Sequence, residues 1–173
     1  MLLYASKTIN GINCYYCCIF KIKLLPYTTG KEGEFMKWLY DDGGRSKYYK
    51  GHTGDCVVRA LAIGTGMDYK EVYDLVNSYS KNDDSNSHAR TGIAPKLVYK
   101  IMSDLGWKWN PTMQFGKGCK VHLKEDELPK DRTIIARLSR HLTCIVDGVI
   151  HDTYDPSRQG NRCVYGFFSK EPV

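Results

Sequence analysis

No apolar run in this chain approaches the length needed to cross a bilayer, so a helical membrane anchor is not expected. There is no dense Lys/Arg tract either. A formal charge of +6 is spread along the sequence, which reads as scattered solvated lysines rather than a nucleic-acid surface. An even cysteine count is also missing. The seven cysteines, at 14, 17, 18, 56, 119, 144 and 163, cannot all pair within one chain, and their spacing is not that of a small secreted framework. Cys144 and Cys163 fall among apolar residues and are expected as buried thiols, in a reducing, cytoplasmic compartment. Internal repeats and low-complexity segments are absent too. What remains is an ordinary composition and 173 residues, enough for one domain with a sizeable core.

Residues 1–35 stand apart from the rest. They lack the order of a signal peptide, in which a basic region precedes an apolar stretch and a small-residue cleavage site. The stretch Lys31-Glu32-Gly33 can be encoded by a ribosome-binding sequence a few nucleotides before a start at Met36. On that reading residues 1–35 lie upstream of the native start. The competing reading is a β-hairpin around Asn10-Gly11 followed by the strand-like CIFKIKLL.

From Met36 the pattern becomes coherent. MKWLYDDGGRSKYYKGHTGD is turn-rich and aromatic and predicts an extended strand and loop. CVVRALAI, from Cys56, predicts a short apolar helix interrupted by Arg59, with Gly64 and Gly66 to end it and Asp68 to cap the next one. Tyr69, Val72, Tyr73 and Val76 share one helical face. The polar stretch from Lys81 to Gly92 has no periodicity and reads as a loop able to cover a cleft. APKLVYKIMSDLG carries Pro95 early and Gly106 late, a third helix. The period then drops to two in TIIARLSRHLTCIVDGVIHDTYD, where Asp147-Gly148 signals a hairpin, and NRCVYGFFS predicts a last strand. Helices followed by an antiparallel sheet make an α+β domain.

The chemistry centres on Cys56, which follows Gly54-Asp55 and opens a helix. A thiol attacks only as thiolate, and a helix N-terminus and a neighbouring imidazole both favour that form. Among His52, His88, His122, His141 and His151, the ring of His141 opens the strand HLTCIV, where it can project from a sheet edge into a cleft. A two-residue loop at Asp147-Gly148 would put Tyr154 opposite His141 and Asp152 diagonal to it on the same face; a loop one residue longer would bring Asp155 opposite instead. Each residue has a plainer explanation: Cys56 as a small buried hydrophobe capped by Asp55, His141 bonded to a backbone carbonyl, Asp155-Pro156-Ser157 as a turn. Their order along the chain is what favours chemistry. Cys14-x-x-Cys17 and Cys119-x-x-His122 have zinc-ligand spacing, a weaker signal, and the glycine clusters GTG and FGKG lack a phosphate-loop context.

A Gly-Asp-Cys opening an apolar helix, then far downstream a strand beginning with His, a hairpin and an Asp-Pro on its return, resembles the core of papain-like cysteine peptidases. The nearest patterns are the double-glycine peptidases and the transglutaminase-like enzymes. LPKDRTIIARLSRHLTCIVDGVIHDTYDPSRQGNRCVYGFF also resembles small uncharacterised proteins of phages and prophages. The resemblance runs from about Met36 to Phe168 and rests on two short motifs. It implies a papain-like core with the helices packed on the sheet, and thiol hydrolase or acyl-transfer activity on a peptide or amide without cofactor or metal. It implies Cys56 as nucleophile, His141 as general base and Asp155 as the third member, Asp152 being the alternative on strand geometry. One departure stands out. Such peptidases carry a Gln a few residues before the Cys to bind the oxyanion, and here Tyr49, Lys50, Gly51 and His52 occupy that region. Losing one such donor costs about 10²–10³ in rate. Lys50 or His52 would have to substitute, or the chain is a non-catalytic, phage-encoded binding module that keeps the fold.

Overall fold

The computed structural model describes residues 35–82, 86–114 and 116–170. The N-terminal readings, including Cys14, Cys17 and Cys18, lie outside these residues, as do positions 83–85 of the polar loop.

The described chain is α+β. Three α-helices, α1 (Cys56–Thr65), α2 (Tyr69–Lys81) and α3 (Pro95–Asp104), accompany six strands: β1 (Trp38–Tyr40), β2 (Lys108–Pro111), β3 (Ile134–Leu138), β4 (His141–Val146), β5 (Val149–Asp152) and β6 (Gly166–Ser169). They form one sheet in the order β1-β5-β4-β3-β6-β2. The expectation of a purely antiparallel C-terminal sheet needs correction. β1 comes from before the helices and joins β5 in parallel, and β2, from just after α3, pairs with β6. Lys-Trp-Asn-Pro has too little alternation to announce β2.

Local chemistry accounts for the boundaries. Asp68 caps α2 by accepting from the Lys70 amide at 2.8 Å. Pro95 begins α3, and Gly106, at φ 77°, follows its end. Asp147 (φ 47°) and Gly148 (φ 77°) form the two-residue loop between β4 and β5, with Val146 opposite Val149.

Both faces of the sheet are covered, which is why β3 and β4 read as nearly continuous apolar runs. On one face Ile135, Leu142, Cys144 and Phe168 pack under the helices, against Leu61, Val72, Val98 and Met102 among others. On the other, Ile134, Leu138, Ile145 and Ile150 meet Met36, Leu123, Leu128 and Val164. A disulfide between Cys119 and Cys163 ties two of the segments that cover this second face. The expectation of a free buried thiol holds for Cys144 and fails for Cys163. Cysteine usage therefore gives no support for a reducing compartment. Among the described residues no helix is long and apolar enough to cross a membrane.

Gly64 lets α1 press on the sheet: a Cβ there would lie 2.8 Å from Ile135 Cδ1 and 3.5 Å from the Cys144 sulfur. Gly64→Val should cost about 1–3 kcal/mol through overpacking, read as a lower denaturant midpoint with an unchanged slope.

Candidate functional site

The site is assembled from three elements. α1 begins at Cys56, β4 begins at His141 and β5 ends at Asp152. The register of the β4–β5 hairpin, Cys144 opposite His151, places Tyr154 opposite His141 when continued past β5. The ring centroids of His141 and Tyr154 are 5.2 Å apart. Asp152 is then the diagonal neighbour, and its Oδ2 lies 2.7 Å from His141 Nε2. Of the two sequence geometries, the two-residue loop is the one adopted.

Asp155 lies elsewhere. Its carboxylate accepts from the Ser157 amide at 2.8 Å, the turn role that Asp-Pro-Ser allows. The carboxylate at the imidazole is Asp152. Asp155 was implied by the resemblance through its Asp-Pro step, which carries no information about register.

Asp152 is 4% exposed and His141 is 8% exposed. Because Nε2 faces Asp152, Nδ1 is the ring nitrogen left for the Cys56 thiol, with which His141 interacts. Burial pushes the imidazole toward its neutral form, but the bonds to Asp152 and Cys56 and the charges of both outweigh it. The His141 pKa is raised to about 9. Burial likewise pushes the Cys56 thiol up. The hydrogen bond from His141, the Leu142 amide and the charges of His141 and Arg59 reverse the balance, and its pKa is lowered. The two shifts run the same way, toward thiolate and imidazolium.

The backbone around Asp152 is braced from β1. Its carbonyl accepts from the Asp41 amide at 2.9 Å and from Trp38 Nε1 at 3.2 Å, and its Oδ1 accepts from the Thr153 amide at 2.7 Å.

The other histidines are occupied or remote. His151 bonds Asp41 at 3.0 Å, His122 contacts Glu127 at 3.2 Å, His88 Nδ1 accepts from the Arg90 amide, and His52 is exposed. The zinc reading is overturned at Cys119, whose sulfur is committed to Cys163, and no metal-binding group is found among the described residues. Cys144 is walled in, and burial, with the nearby Asp41 and Asp152 charges, pushes its thiol up to about 12. It is the inert thiol of the pair.

Sequence reading missed the surroundings of the nucleophile. Asp55 stands at the N-cap of α1 but its side chain does not cap the helix; it accepts from Arg45 Nε at 2.8 Å, from Arg59 Nη1 and from the Tyr69 hydroxyl. Arg45 also donates to the carbonyls of Tyr49 (3.3 Å) and Gly51 (2.7 Å), which holds the backbone of the approach loop. The region where an oxyanion Gln is missing is thus fixed through its main chain, while the Lys50 and His52 side chains are exposed. The polar loop after α2 reaches this place as well: the Thr53 hydroxyl donates to the Arg90 carbonyl at 2.7 Å, and Ala89 is buried. An Arg in an apolar helix directly after Asp-Cys was the available signal for this cluster.

In the native chain iodoacetamide should label Cys56 and spare Cys144. At mildly acidic pH Cys56 should react about tenfold faster than an unperturbed thiol, because its larger thiolate fraction outweighs the lower nucleophilicity of a low-pKa sulfur. His141→Ala should remove most of that advantage; peptide mapping of the alkylated chain measures both.

In comparisons with known proteins, no family model, no curated protein and no solved structure matches this chain.

Proposed function

We propose that this protein is a cysteine-dependent acyl-transfer hydrolase with a papain-like core, acting on a peptide or related amide through Cys56, His141 and Asp152. The observation that carries the reading is the convergence of a thiol at a helix N-terminus, an imidazole that interacts with it and a buried carboxylate on the ring's far nitrogen. Elements 85 residues apart in sequence supply the first two, and the shifts of both groups favour the protonation states an acyl transfer needs at the start.

The reaction follows from that state. The Cys56 thiolate adds to the carbonyl carbon, and the negative charge moves to the carbonyl oxygen. The Cys56 amide, in the first turn of α1, has no intrahelical acceptor and is a donor for that oxygen. As the tetrahedral species collapses, the C–N bond breaks and the imidazolium of His141 gives its proton to the departing amine. The neutral ring then takes a proton from water, whose hydroxide attacks the thioester. The C–S bond breaks, and the acid product leaves with thiolate and imidazolium restored. An amine in place of water gives transfer instead of hydrolysis. Asp152 keeps the ring oriented and stabilises its charged form. A bacterial host cytoplasm, for a phage-encoded chain, belongs to the same proposal.

The second reading, a non-catalytic binding module, is favoured by one observation: the region where an oxyanion Gln would stand holds none, and its Lys50 and His52 side chains are exposed.

An activated aryl ester, which forms an acyl-enzyme with little help from an oxyanion site, tests the nucleophile, and peptide turnover alongside it distinguishes the two. The native chain should give a burst of phenol and an intact-mass adduct on Cys56, with turnover of a peptide library as the fuller test. Cys56→Ala should abolish both, His141→Ala should lower the acylation rate about 10²–10⁴-fold, and Asp152→Asn should lower it strongly. Asp155→Asn should leave it within about threefold. The rate should rise with acid-side pH as the Cys56 thiol ionises below its ordinary range, and turnover should fall as His141 loses its proton near 9. No adduct at Cys56 sinks the hydrolase and leaves the binding module.

A further inference from the structure

Arg59 sits one helical turn beyond Cys56 and is only 9% exposed. Its Nη1 donates to Asp55, the residue before the nucleophile, and its Nη2 lies 4.0 Å from Asp152 Oδ1, on the carboxylate behind the imidazole. One guanidinium thus spans the two acids that flank the thiol–imidazole pair. Burying it is costly, and its Nε is left without a partner among the described residues. An ion pair that served only to hold α1 would need Asp55 alone.

We propose that Arg59 is a positioning residue of the site: it ties the acid before Cys56 to the acid behind His141 and biases the pair between them toward thiolate and imidazolium. The inference rests on the acyl-transfer reading of Cys56, His141 and Asp152. The charged and titratable groups around the thiol come from every element packed on it. Asp55 and Arg59 come from the α1 end, with Arg45 and Tyr69 reaching Asp55 from the preceding loop and from α2; His141 comes from β4, and His151 (bonded to Asp41), Asp152 and Tyr154 from β5 and its continuation. Within this set Arg59 and His141 both lower the Cys56 pKa. The negative charge of Asp55 opposes them, so its guanidinium partners are what make an acid tolerable next to a thiolate.

The test is the pH profile of Cys56 alkylation by iodoacetamide in the full chain, in wild type, His141→Ala, Arg59→Gln and Asp55→Asn. Arg59→Gln stays polar but removes the charge and, two bonds shorter, the span between the two acids; its midpoint should move to higher pH and its rate at mildly acidic pH should fall at least about threefold. Asp55→Asn removes the opposing charge, and its midpoint should move the other way. Folding of each variant is read from protection of Cys144. A folded Arg59→Gln chain whose profile overlays wild type overturns the inference. If that variant does not fold, Asp55→Asn decides: an unchanged or raised midpoint overturns it. The wild type and His141→Ala separate this failure from the larger one. A wild-type profile that is that of an ordinary thiol and indifferent to His141 removes both readings, whereas a lowered, His141-dependent midpoint that ignores Arg59 removes only this one.

Discussion

The hydrogen bond between His141 Nε2 and Asp152 Oδ2, 2.7 Å long, does more than orient a ring. A carboxylate that is 4% exposed needs donors, and Asp152 has the ring at one oxygen and the Thr153 amide at the other. The same bond uses up the far nitrogen of the imidazole, so that the near one must face Cys56. It also favours positive charge on the ring, against the burial that favours a neutral one. Remove it, and burial, which favours the uncharged forms of both the thiol and the imidazole, loses one of its main opponents.

The fold is arranged to keep that bond in place. The β4–β5 loop has two residues, and one more would shift the register and carry Asp152 to the other face. β1 closes on the end of β5 with the Asp41 amide and the Trp38 indole, so the carboxylate stands on a braced strand end rather than a free one. Gly64 allows α1 to approach β3 closely, and this sets the depth of the nucleophile's helix against the sheet. At the other end of α1 the Asp55, Arg45, Arg59 and Tyr69 cluster anchors both the helix start and the loop leading into it. Such buried charges are an uneconomical way to gain stability, and their placement beside a thiolate gives them another use.

Much of this was legible in the sequence, for identifiable reasons. Helices announce themselves by period and caps, and Asp68, Pro95 and Gly106 marked theirs; Asp147-Gly148 fixed a hairpin from which Tyr154 and Asp152 could be placed relative to His141. Cys56 and His141 were legible as a pair because each opens an element. What could not be read was tertiary. A three-residue strand such as β1 has no periodicity, and its parallel pairing with β5 depends on a chain reversal through two helices. The choice of Asp152 over Asp155 depended on one residue of loop length. The Cys119–Cys163 bond required knowing that two distant segments meet on the far face of the sheet, and Arg59 looked like an interruption because its two acids are brought to it only by folding.

The central claim is a charge state, and the imidazole of His141 reports it directly. Nitrogen and proton NMR of the full chain across pH should find both ring nitrogens of His141 protonated at neutral pH, with the proton lost near 9. Cys56→Ala should lower that midpoint, because the thiolate partner is gone. A His141 ring that is already neutral at neutral pH, and whose titration ignores the loss of the Cys56 sulfur, would contradict the account.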